Sequence, residues 1–144
     1  MVKFINNASN LIRVERTVSM FTKVVLYTDP ADGMAKFREE SIPLGEGNPQ
    51  SMLSQVFASG GYQLRTSPVG FRSQFHCSGH TQWCFILGGQ MEIGVHGSSR
   101  IFSAGQHFYS ADLLPEGATF DPAVHGHWSR QVGSDPLITL FVRG

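Results

Sequence analysis

An antiparallel all-β sandwich or barrel is the fold class that this 144-residue chain predicts. Three observations lead there. Short runs of β-forming residues alternate with Gly- and Pro-containing turns along most of the chain. No stretch of the second half sustains a 3.6-residue apolar period. The turns recur at regular spacing, as sandwiches and barrels require.

The elements follow in order. "TKVVLYTD" (Thr22 to Asp29) reads as a strand, closed by "PADG" at Pro30 to Gly33, whose Asp-Gly is a hairpin signal. "AKFREESIPL" (Ala35 to Leu44) alternates loosely and pairs back. "GEGNPQS" is a loop. "SMLSQVFAS" (Ser51 to Ser59) predicts a helical turn or two, because Met52, Leu53 and Val56 share one helical face. "YQLRTSPVGF" (Tyr62 to Phe71) is strand-like. Then come "QWCFILG", "QMEIGV", "RIFS" and "HFYSA", separated by short glycine-bearing turns, and finally "LITLFVR" (Leu137 to Arg143). Residues 1–60 are expected to form strands or an arm packed on a core of residues 61–144, within one domain overall. The first twenty lack a clean pattern.

Charged residues make up 15% of the chain and the net charge is zero. Nucleic-acid binders normally carry a basic patch, so none is expected as a partner. No apolar run is long enough to span a bilayer, and the N-terminus lacks a signal peptide's continuous apolar segment. A cytoplasmic protein without a membrane partner is the expectation. Cys77 and Cys84, with no CxxC between them, predict reduced thiols rather than a disulfide framework.

The chemistry-bearing stretch is "HCSGHTQWCFILGG", His76 to Gly89. Extended backbone sends alternate side chains to opposite faces. His76 and Ser78 therefore point one way and Cys77 the other, so His76, Cys77 and His80 do not make one zinc cluster. After the "GHT" loop, Gln82, Cys84 and Ile86 share a face, with Trp83 and Phe85 opposite. A further partner must come from "DPAVHGHWSR", where His125 and His127 are expected on one strand face. Gly126 between them permits close backbone approach.

These residues resemble a cupin, a small double-stranded β-helix (jelly-roll) barrel. The first cupin motif, G-x5-H-x-H-x(3,4)-E-x6-G, is similar to Gly70, "FRSQF", His76, Cys77, Ser78, "GHT", Gln82, "WCFILG" and Gly89. Ser78 stands where the motif has its second histidine and Gln82 where it has glutamate. Gly105 in "SAGQHF" and His127 match the second motif. The resemblance covers roughly residues 61–144. It implies an all-β antiparallel jelly-roll with an extra N-terminal strand region and a degenerate metal motif. His76, Gln82 and His127 are the implied metal ligands. Ser78, His80, Cys84, His125 and Arg130 are the further pocket candidates. The bland readings stand beside these: buried histidines hydrogen-bonded to neighbours, a buried amide at Gln82, a small core residue at Cys84, a solvent-facing His80. Arg65, Arg72 and Arg130 read as solvated.

Two functional expectations follow. One is a metal-dependent enzyme of dioxygenase, isomerase or lyase type, acting on a small organic molecule with Fe, Zn, Ni or Mn. The other is a metal-free pocket for a small metabolite, with no cofactor. The missing glutamate and second histidine weaken the first, because two ligand types that would offset or hold a divalent ion are gone. A homodimer is expected, since small barrels commonly pair sheet edges.

Overall fold

The computed structural model describes residues 19–144. Among them every regular element is a strand, so the expected all-β class holds. The described residues divide into two compact units, residues 19–22 with Ser41–Val56, and Lys23–Glu40 with Phe57–Gly144. The unpatterned first eighteen residues lie outside the described residues. β1 (Met20–Thr28) and β2 (Ala35–Pro43) flank the Pro30 to Gly33 turn, whose Gly33 has φ 75°.

The first unit holds a small hairpin of β3 (Glu46–Asn48) and β4 (Ser51–Leu53), in register Glu46↔Leu53, Gly47↔Met52 and Asn48↔Ser51. This overturns the helical turns expected from Ser51 onward. Asn48 Oδ1 accepts the Gln50 amide at 2.9 Å, a side-chain turn that competes with helix. Met52, Leu53 and Val56 are all exposed, so their helical spacing had no buried face to define.

The second unit holds the remaining strands: β5 (Tyr62–Ser67), β6 (Gln82–Gly88), β7 (Gln90–Val95), β8 (Ser98–Ser103), β9 (His107–Ala111), β10 (Trp128–Val132) and β11 (Leu137–Arg143). A six-stranded sheet runs β2-β1-β9-β6-β11-β5, and a three-stranded sheet runs β10-β7-β8. The pairings β5–β11, β11–β6, β6–β9, β10–β7 and β7–β8 are antiparallel. One departs from the expected pattern: β1 lies parallel to β9, with Val25 opposite Tyr109.

Alternation fixes which side chains enter the space between the sheets. In β6, Cys84 and Ile86 are buried while Trp83, Phe85 and Leu87 are not. The outward Trp83 and Phe85 stack at 5.6 Å and 5°. Leu26, Ile86, Ile93 and Leu137 are each at most 1% exposed, and with Met91, Phe102 and Phe108 they form the core. Fully burying such side chains contributes roughly 1.5–3 kcal/mol each. No helix among the described residues is long and apolar enough to cross a membrane.

The edge of that core contains one pH-sensitive group. His107 Nε2 accepts the Val24 amide at 3.3 Å, which requires the neutral ring. Burial, and secondarily Lys23, lowers its pKa from the ordinary 6.5. The unfolded chain therefore takes up the proton more readily than the folded one. This contribution is fully present above pH 6.5 and is lost as pH falls below it. Urea unfolding at pH 7.5 and pH 5.5 should show a stability loss that His107→Gln reduces. Equal losses in the two proteins would contradict the assignment.

Candidate functional site

The site begins with a backbone pair. His76 and His127 form an isolated antiparallel bridge. Each amide donates to the other's carbonyl at 2.9 Å. Residues paired directly across an antiparallel ladder project to the same face, so the two rings meet, with centroids 4.5 Å apart and planes tilted by 54°. Gly126 makes this approach possible. It has φ 79°, and a Cβ there would lie 2.4 Å from the His76 carbonyl oxygen. The close approach expected at this glycine is present.

Both imidazoles line a cavity of about 160 Å³, together with Ser78, Gln82, Arg65 and Ser110 among its polar groups. Met91, Ile93, Phe108 and Phe141 supply the apolar part. His76 is exposed at the mouth, whereas His127 is 5% exposed. His76 Nδ1 donates to the Gln74 carbonyl at 2.8 Å. His127 Nδ1 donates to Asp112 Oδ2 at 2.5 Å. In the neutral rings each Nε2 is then left as an acceptor.

Asp112 is the residue that sequence reasoning missed. It is 0% exposed and lies just past the end of β9. Ser78 Oγ donates to its Oδ1 at 2.7 Å, and the Ser78 amide donates to its carbonyl at 3.2 Å. Ser110 Oγ contacts Ser78 Oγ closely and reaches Asp112 Oδ1 at 3.5 Å. Ser78 thus lines the cavity with His76, Gln82 and His127 and anchors the Asp112 carboxylate.

The other expected residues separate. Gln82 lines the cavity, and its Oε1 contacts His80 Nε2 at 3.2 Å. His80 itself is exposed and does not line it. Cys84 is 0% exposed and belongs to the core. Burial pushes its thiol up to about 12, with Arg65 opposing, so it stays protonated at neutral pH. His125 sits in a turn, not on a strand beside His127. Its Nδ1 accepts the Asp121 amide at 3.0 Å and its ring lies near Gly33 and Phe120. Arg130 faces the other side of β10, where its Nε donates to Glu92 Oε1 at 2.5 Å. Arg65, expected in solvent, instead lines the cavity, and burial lowers its pKa from the ordinary value.

Two β-sheets thus enclose a polar cavity within an all-β fold. A solved structure similar to this protein is the cupin domain of Cnp3 from Schizosaccharomyces pombe, 14% identical, with a TM-score of 0.44, covering 87% of this chain and 83% of that one. No family model matches the chain, and no curated protein matches it significantly.

The Asp112 network should be worth measuring. Removing one partner of a buried hydrogen-bonded pair leaves the others desolvated and unpaired. Asp112→Ala should lower the unfolding free energy by about 3 kcal/mol in urea titration. A loss within experimental error would mean that Ser78 and His127 find other partners.

Proposed function

We propose that the cavity binds a small polar organic molecule without a metal, using His76 and His127 as paired hydrogen-bonding groups. The observation that carries this is the pair of facing imidazoles in one cavity, with both Nδ1 atoms committed to protein acceptors. The donor set supports it. Asp112 already accepts from Ser78 and His127 through its two oxygens. Among the described residues, no three His, Cys, Asp or Glu side chains gather as metal ligands would. Transition metals in proteins are usually held by at least three such groups. At about 160 Å³ the cavity is smaller than the roughly 300–1,000 Å³ of most ligand pockets, so the occupant is small.

A second reading is a metal-dependent enzyme of dioxygenase, isomerase or lyase type. The hydrogen bond from His127 to Asp112 favours it, because metal-binding histidines commonly donate their other nitrogen to a carboxylate. His76, His127 and Gln82 would hold Fe, Zn, Ni or Mn, and the ion would supply Lewis-acid or oxygen-activating chemistry. The chain's own contribution would be to orient the rings through Asp112 and Gln74.

Elemental analysis and thermal melting separate the two readings. The purified protein should carry metal well below stoichiometry, and added Zn²⁺, Ni²⁺ or Mn²⁺ should leave Tm unchanged, since a ligand specific to the folded state raises it. A stoichiometric ion that His76→Ala removes would replace the first reading with the second.

We further propose that two copies pair along β5, which ends the six-stranded sheet and exposes Tyr62 and Leu64. Exposed apolar edge strands favour such pairing. Sedimentation equilibrium should give twice the chain mass, and Leu64→Lys should return a monomer. A wild-type monomer at tens of micromolar would sink this. The free Cys77 and Cys84 suit a reducing, cytoplasmic setting.

A further inference from the structure

We propose that the ligand of this cavity is a short carboxylate that also carries a hydroxyl, with Arg65 holding the carboxylate and the two imidazoles receiving the hydroxyl. This rests on the reading of the cavity as a binding site and names the class of its occupant.

The placement of Arg65 runs against the hydrophobic pattern of its strand. It is paired with Thr139, which is 0% exposed, so the two share the inner face. Its neighbour Leu64 is 66% exposed and Tyr62 is 73% exposed. The strand thus turns an arginine inward and its apolar residues outward. The guanidinium lies near the rings of Phe141, at 4.8 Å, and Phe71, at 5.4 Å. Its Nε and Nη2 are buried, and among the described residues no group accepts from either. The buried Thr139 Oγ1 across the ladder likewise has no partner among the described residues.

Among the described residues no carboxylate forms an ion pair with Arg65. The Asp112 oxygens are engaged by Ser78 and His127. Cys84, close enough to act on it, is a protonated thiol at neutral pH. A buried cation left unpaired is costly, and an unpaired guanidinium on a cavity wall is a ligand-site signal. Its planar fork of N–H donors matches a carboxylate's two oxygens. The same cavity presents Nε2 acceptors from His76 and His127, which suit an O–H donor. Its volume restricts the molecule to a few heavy atoms.

Isothermal titration of the full chain with glycolate, lactate, lactamide and inorganic phosphate tests this. Lactate and glycolate should bind, with lactamide at least about tenfold weaker. Arg65→Met should weaken lactate on the order of 10–100-fold and lactamide by much less. Arg65→Lys, which keeps the charge but not the fork, should fall between and serves if the methionine variant does not fold. His76→Ala should weaken lactate and lactamide alike. Lactamide binding as tightly as lactate, phosphate binding more tightly than either acid, or wild-type lactate affinity in either Arg65 variant overturns the carboxylate assignment. If lactamide still binds and His76→Ala abolishes it, the cavity remains a binding site and only the charge assignment fails. If none of the four compounds binds, this inference falls, and melting against a wider set of neutral compounds then decides whether the cavity is a binding site.

Discussion

The cavity depends on two short segments, distant in sequence, that hydrogen-bond side by side. Segment 71–76 meets His127 and β10 through the reciprocal amide bonds of His76 and His127, the Ser73 amide on the Ser129 carbonyl and the Gln131 amide on the Phe71 carbonyl. The His76–His127 pair brings the two rings onto one face. It tolerates no side chain at Gly126, whose left-handed backbone lies against the His76 carbonyl. Local conformational freedom at one glycine therefore governs a contact between groups far apart in the chain. The neighbouring bonds hold this point in place: Ser73 Oγ accepts the Ser129 amide at 2.9 Å.

Polar residues occupy much of the space between the sheets, and they do so in a connected set. Ser78, Ser110, Asp112 and His127 satisfy one another. A buried network of this kind is stabilising only when each member has its partners. Arg65 and Thr139 stand outside it. The contrast between a satisfied network and an unsatisfied pair in the same interior separates the groups that build the cavity from those that a ligand would complete.

Strand parity made part of this legible in the sequence. The shared face of Cys84 and Ile86, and the opposite placement of Trp83 and Phe85, follow directly from two-residue alternation. The same rule excludes Arg130 from the face of His127, since the two positions have opposite parity, and the expectation that placed it near the pocket overlooked this. His125 failed for another reason: the segment before Gly126 is a turn, so parity did not apply. The meeting of His76 with His127 is a non-local pairing that periodicity cannot supply, and the cupin resemblance was what suggested it. Asp112 left no signal, because it sits after a strand end in an irregular stretch where spacing carries no directional information. Arg65 was hidden by an inverted pattern, in which leucine and tyrosine face outward beside an inward arginine.

Gln131, 7% exposed, accepts the Gly70 amide through Oε1 and donates through Nε2 to the carbonyls of Val132, Gly133 and Asp135. Gly70 opens the segment that carries His76, and Asp135 precedes the strand that carries Thr139 and Phe141. One uncharged amide thus moors both banks of the cavity from a position outside its lining. The segment that leads to the imidazoles and the one that leads to Thr139 and Phe141 share one anchoring side chain.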